Sequence, residues 1–281
     1  MDPVEILATA FALGLGSVVG SFLNVCIHRL PLGASIVRPR SACPGCAAPI
    51  PWHDNIPIVS WLLLRGRCRA CREPIPIRYP MVEAATALLF LLLLRVRGPT
   101  PLWLLQAALG ASLIALIMID ARHQILPNAI TLPGIAAGLL TSPVRGAYDP
   151  LRPAGPLDAL IDSLQGAAIG YAVPFGINAA YRGWQAMRGV PKEKREDGIG
   201  QGDFKLLAMI GAFQGTRLVL FCLFAGAVSG ALFGLFMMWR RGYGWKSKLP
   251  YGVFLGGAAI LALFAGEPSI AWYLRLLGGG P

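Results

Sequence analysis

Long apolar runs alternate with short polar ones along the whole chain. Residues 4–26, 80–97, 101–120, 127–141, 157–180, 203–215, 217–239 and 251–277 are each strongly apolar. A membrane span needs about 20 apolar residues, or fewer where neighbouring protein shelters it. The pattern therefore predicts an all-α polytopic membrane protein with about eight transmembrane helices, the fourth and sixth of them short. Only two segments are both long and polar. One is 27–79, rich in Pro, Cys and Arg. The other is 181–202, containing RGVPKEKREDGIG, which reads as a mobile loop. The stretch SPVRGAYDPLRPAGP in 142–156 reads as a plain Pro/Gly connector. No internal repeat stands out. The expected organisation is a first helix over 1–26, a small cytoplasmic domain over 27–79, and a seven-helix membrane domain over 80–281. The opening residues MDPVEILATAFALGLG lack the basic start of a signal peptide and read as a permanent span.

Composition agrees. Of 281 residues 55% are hydrophobic and 14% charged, where a soluble protein carries about 25% charge. The net charge of +11 raises the question of nucleic acid. Threading the chain through the predicted spans answers it. Nineteen of the 25 Lys and Arg fall on one side, in the segments 27–79, 121–126, 181–205 and 240–250. Basic loops face the cytoplasm, so both termini are expected outside and the 27–79 segment inside. The asymmetry accounts for the charge without nucleic acid, and the basic loops are expected to meet anionic lipid headgroups.

Four of the six cysteines form two C-x-x-C pairs, CPGC (Cys43, Cys46) and CRAC (Cys68, Cys71), 21 residues apart. Such pairs place four thiolates around zinc. Disulfides are rare in the cytoplasm. Four thiolates close the coordination shell, so the zinc is expected to be structural, folding a domain too small to bury its own core. His28 and His53 are nearby rivals as ligands. Cys26 and Cys222 lie in spans and read as small buried apolar residues.

Two acids stand at span ends. Asp120 closes the third span, and Asp203 opens the sixth behind GQG. By the topology above both lie at the cytoplasmic face, and an ionisable residue at such a place suggests function. Two adjacent carboxylates do not both ionise easily. One keeps a proton while the other takes one from water, which is the chemistry of an aspartic peptidase. Asp203 could instead cap its helix, but an acid at a helix C-terminus, as at Asp120, opposes the helix dipole. Gly200 and Gly202 would leave room for a substrate backbone beside Asp203. Lys205 either holds negative charge near the pair or reaches the headgroups. Glu83, at the inner end of the second span, either pairs with Arg78 or supports the site. Asp158 and Asp162, on the outer side, read as helix caps.

These residues carry a resemblance. GSFLNVCIHRLP (20–31), the block RSACPGC to RYPMVE (40–83), ID…LPN (119–128), GQGDFKLLA (200–208) and LPYGVFLG (249–256) resemble the type 4 prepilin peptidases, the leader peptidase/N-methyltransferases. The resemblance covers most of the chain. It implies an inner-membrane aspartic endopeptidase that removes the basic leader from type IV prepilins or type II secretion pseudopilins, after a glycine at the cytoplasmic face. It places the catalytic pair on Asp120 and Asp203. It also implies methylation of the new N-terminus with S-adenosylmethionine, associated with the cysteine-bearing loop. The match departs at Asn128, where many relatives have an acid, and at Gln201 and Phe204, where Met and Val are common. No Gly-rich nucleotide loop marks a cofactor site. Two other readings stand beside this one. One is a peptidase without methyl transfer. The other is a non-enzymatic channel or transporter with a zinc-bound regulatory loop, although an ion path would thread acids through the bilayer rather than pair them at one face.

Overall fold

The computed structural model describes residues 2–241 and 249–278. Lys246 and Lys248, counted above on the basic side, lie outside the described residues. The chain divides into two compact units, Met1–Ile119 and Asp120–Pro281. Among the described residues the only β-structure is two isolated bridges.

In the first unit, α1 spans Pro3–Arg29, α2 Val59–Leu63 and α3 Arg78–Arg97, and α4 begins at Pro101 and runs to His123. The Asp2 side chain accepts from Val4 N to cap α1, with Pro3 in the first turn. The apolar faces of α1 and α3 would pack equally well on lipid, so close backbone approach holds them together. Gly16 and Gly20, one turn apart on α1, allow it. A Cβ on Gly16 would sit 2.6 Å from Ala87 Cα, and one on Gly20 2.6 Å from Glu83 Cα. At the far end Arg95 of α3 binds Glu5 and Thr9 of α1.

The second unit contains α5 (Asn128–Leu140), α6 (Ser142–Tyr148), α7 (Pro156–Met187), α8 (Gln201–Gln214), α9 (Thr216–Arg241) and α10 (Tyr251–Leu276). Its centre is α8. Leu206, Leu207, Met209, Ile210 and Ala212 of α8 have no exposed surface. Glycines again set the contacts. A Cβ on Gly211 would lie 2.1 Å from the Gly166 carbonyl of α7, and one on Gly170 2.4 Å from the Leu207 carbonyl. On the other flank, a Cβ on Gly138 of α5 would lie 2.8 Å from Ala212 Cβ. Gly211→Ala is therefore expected to cost about 3 kcal/mol, the upper end for overpacking, because the obstructing atom is backbone. Gly176→Ala on α7, where a Cβ meets open space, is expected to be neutral or slightly stabilising. Thermal unfolding of both variants in detergent checks the contrast.

Among the described residues six helices are long and apolar enough to cross a membrane: those of α1, α3, α4, α7, α9 and α10. The predicted fourth and sixth spans are α5 and α8, of 13 and 14 residues. At 1.5 Å per residue each is about 20 Å long, roughly 10 Å short of the hydrocarbon core. The shelter α8 needs comes from α5 and α7.

Three segments differ from the sequence-based expectation. The 142–156 stretch is not a plain connector. It forms α6 and delivers Arg145 and Arg152 into a charged cluster. Arg145 lies 2.9 Å from Asp162, and Arg152 lies 3.0 Å from Glu267 and donates to the Gln214 carbonyl at 2.8 Å. Asp162 also accepts from Thr216 N, so it caps α9 rather than its own helix. The 181–202 segment is not all loop. It continues α7 to Met187, and the rest is strapped back. Buried Asn178 binds Asp197 and accepts from Gly198 N, while Gln185 exchanges two hydrogen bonds with the Glu196 backbone. Finally, the cysteine segment does contain a short repeat. CPGCAAPIP (43–51) and CRACREPIP (68–76) fold alike: Cys43 N bonds Ala48 O, and Cys68 N bonds Glu73 O. The bridges Ala42–Pro49 and Arg67–Pro74 flank the two turns equivalently.

Candidate functional site

The two knuckles bring Cys43, Cys46, Cys68 and Cys71 together, with all four Sγ atoms within 4.8 Å of one another. Cys43 and Cys71 Sγ are 3.7 Å apart. Tetrahedral zinc with Zn–S near 2.3 Å requires S···S spacings of about 3.8 Å, so the donor set fits that ion. Backbone N–H groups of Cys71 and then Ala70 draw the Cys68 thiol down to about 7, which favours the thiolate a metal needs. Neither His28 nor His53 joins the cluster among the described residues. Arg69 forms a two-pronged contact with Asp54, at 2.8 and 2.6 Å, tying the second knuckle to the Trp52–Asn55 turn. Cys26 and Cys222 are buried, as expected of apolar fillers.

In the second unit, Asp120 and Asp203 are 5% and 8% exposed and interact through their charges. Local structure explains each position. Asp203 is the third residue of α8, and its carboxylate lies back against Gly200, the N-cap residue. Its place on the first turn of α8 is that of a residue that caps the helix. Asp120, on the last turn of α4, does not cap its own helix. Its Oδ2 accepts from Val253 N at 3.1 Å, with the Gly252 N–H beside it, at the start of α10. A helix N-terminus offers free N–H groups and a favourable field to an anion, so α10 offsets the unfavourable dipole of α4.

The glycines around the two acids are tightly packed. A Cβ on Gly202 would lie 3.0 Å from Leu126 Cβ, and one on Gly252 2.9 Å from Asp120 Oδ2 and 3.1 Å from Leu126 Cδ1. Leu126 thus wedges between the starts of α8 and α10; a side chain on Gly252 would press on Asp120 itself, and one on Gly202 would push on Leu126. A Cβ on Gly200 would meet the Asp203 carboxylate at 3.1 Å. Lys205 Nζ donates to Asn128 Oδ1 at 2.8 Å. That fixes α8 to the start of α5 and gives Asn128 an acceptor's task that needs no acid.

Three residues here escaped the sequence reading: Gly252, Val253, and Tyr251, whose phenol feels the charge of Asp203. The signal was present in LPYGVFLG, but backbone N–H groups leave no trace in residue type. Glu83 is in the first unit. It is 8% exposed, accepts from Ile58 N at 2.7 Å and neighbours Ser21. It does not pair with Arg78, whose guanidinium lies over the Tyr79 ring at 5.1 Å.

The fold and these centres define a multi-pass helical membrane protein with two interacting buried carboxylates and a four-thiol centre suited to a metal. Residues 15–96 match the bacterial peptidase A24 N-terminal domain, and residues 107–235 match the type IV leader peptidase family. A prepilin leader peptidase/N-methyltransferase of Burkholderia pseudomallei is 37% identical over 295 residues, covering 96% of this chain and 88% of the relative. One from Pseudomonas putida is 34% identical, covering 99% and 97%. One from Myxococcus xanthus is 42% identical over 236 residues, covering 84% of this chain but 65% of the relative's length. No solved structure matches. The chain belongs to the type IV leader peptidase family, and it is a peptidase with the architecture of a multi-pass membrane protein.

Proposed function

We propose that this chain is an aspartic endopeptidase of the inner membrane that cleaves the basic leader from type IV prepilins or pseudopilins after a glycine, and then methylates the new N-terminus. The observation that carries the peptidase reading is the coupling of Asp120 and Asp203, two buried carboxylates at helix ends of one compact unit.

The surroundings support distinct roles for the two acids. Asp120 faces two N–H groups at the start of α10, which favours its ionised form. Asp203 has one such neighbour, Gly200, and is the better place for the shared proton. With a peptide bound, Asp120 takes a proton from water and the resulting oxygen attacks the scissile carbonyl. Asp203 supplies the proton that lets the amine leave. One water is consumed and no covalent intermediate forms. The apolar segment of the substrate would lie beside the membrane helices with its leader in the cytoplasm, the side that the excess of basic loops favours for the site. In this orientation both termini would lie outside. The zinc-bearing segment 27–79 would serve the methyl-transfer step, for which S-adenosylmethionine supplies an activated methyl group.

The test is incubation of purified, zinc-loaded protein with a prepilin, read by intact mass and N-terminal sequence. The expected product begins after the leader glycine and gains one methyl group when S-adenosylmethionine is added. Cleavage without the added methyl, together with no saturable binding of the donor, would leave a peptidase only. No cleavage of any prepilin or pseudopilin would overturn the reading and return weight to a channel or transporter.

A further inference from the structure

On the short helix α2 the usual inside and outside are reversed. Val59, Leu62 and Leu63 are exposed, Leu62 by 61% and Leu63 by 78%. Their i, i+3, i+4 spacing puts them on one face. The polar atoms turn inward instead. Buried Ser60 donates to the His53 carbonyl at 2.8 Å, and Trp61 Nε1 donates to the Ile75 carbonyl at 3.0 Å. Exposed leucines scattered singly are ordinary. A helix that turns its apolar face outward and hides its hydroxyl is built for contact with something apolar.

The level of α2 along α3 identifies that contact. The 20 residues of α3 are apolar enough to cross a membrane. At 1.5 Å per residue α3 is about 30 Å long, the thickness of the hydrocarbon core. Glu83 lies on its second turn, about 8 Å from its first residue, and accepts from Ile58 N at 2.7 Å. The entry to α2 therefore lies beside the first turns of α3, not beyond its end. Gly20 of α1, inside the first apolar run, meets Glu83 Cα at the same level. Ile58 holds φ at +63°, which a β-branched residue rarely adopts, so the surroundings fix this turn against local preference. The outward face of α3 is apolar down to its start as well. Ile77, Met81, Leu88 and Leu92 are exposed at spacings of one helical face. Arg65 and Arg67, both exposed, follow α2. This is the pattern of a helix lying in a membrane interface, with apolar side chains among acyl chains and guanidinium groups at anionic headgroups.

We propose that α2 is a membrane seat. Val59, Leu62 and Leu63 enter the leaflet in which α3 begins, Arg65 and Arg67 meet its phosphates, and the four-thiol segment is thereby held against the bilayer. On this assignment residues 56–67 belong to the membrane interface and not to the cytoplasmic domain expected over 27–79. The seat rests on α3 being a span and on neither step of the proposed chemistry.

The experiment uses full-length protein in vesicles of phosphatidylethanolamine and phosphatidylglycerol. One arm photolabels it from a carbene precursor on the acyl chain, and the other footprints it with hydroxyl radicals from the water. Val37 is the aqueous control, because it is 77% exposed and lies in the loop that Arg29 holds through the Ser35 and Pro39 carbonyls, past the end of α1. The expected result is acyl-chain adducts on Val59, Leu62 or Leu63 and on Leu88 and Leu92, with none on Val37. Leu62 and Leu63 should also react with radicals roughly tenfold less than Val37, as side chains sunk below the headgroups. Radical reactivity equal to that of Val37, without lipid adducts, would overturn the seat while leaving α3 a span. Protection without lipid adducts would overturn it too, and would mean that a second copy or another chain covers α2. Absence of adducts on Leu88 and Leu92 would sink the span reading and the seat with it.

Discussion

Asp120→Asn is expected to slow prepilin cleavage by about 10³-fold or more, and Asp203→Asn by a similar factor. General acid or base assistance contributes roughly 10²–10⁴-fold, and a buried site that excludes water makes the higher part of that range appropriate. The substitutions are nearly isosteric. After Asp120→Asn the new amide oxygen can still accept from Val253 N, so the start of α10 stays capped and the fold should survive. An amide cannot take the proton from water or return one to the leaving amine. The measurement is initial cleavage rate in detergent or vesicles, with thermal unfolding to confirm equal folding. A rate within tenfold of wild type for either variant would reduce that aspartate to a helix cap, a task Asp203 already performs in part.

Loss of the four-thiol centre is expected to have a comparably large effect on the first unit. Between residues 31 and 77 only Cys43, Ser60 and Gly66 are buried. A segment with so little core cannot hold itself folded. Structural zinc contributes about 10–16 kcal/mol in small zinc-dependent peptides, more than any packing available here. Cys46→Ser, or a strong chelator, should therefore remove the metal and abolish hydrogen-exchange protection across residues 39–76. Amides of α8, in the other unit, should stay protected. Persistent protection of residues 39–76 in metal-free protein would contradict the structural role.

The apolar runs were legible because lipid and a buried helix impose the same requirement on sequence. All eight predicted runs are helices, with α1, α3, α5, α8, α9 and α10 ending within about three residues of expectation. The two short runs were also read as short. The cysteine pairs and the two aspartates were legible because metal binding and acid–base chemistry demand particular residue types. What was hidden depends on partners rather than types. The support of Asp120 comes from the backbone of Gly252 and Val253. The 188–200 strap is held by Asn178 and Gln185, polar residues on the far part of α7 that look like any others in sequence. The Arg145–Asp162 and Arg152–Glu267 contacts sit in a stretch whose prolines and glycines suggest only a connector. The partner of Lys205 in the structure, Asn128, is a further contact that residue types alone do not announce.

The central claim is that Asp120 and Asp203 act as one unit. A double-mutant cycle on cleavage rate tests it most directly, comparing Asp120→Asn, Asp203→Asn and the double variant under single-turnover conditions. Residues that share one proton-transfer task are strongly non-additive, so the double variant should be no slower, within about threefold, than the slower single variant. Losses that multiply, each aspartate contributing its full factor independently, would contradict a shared site.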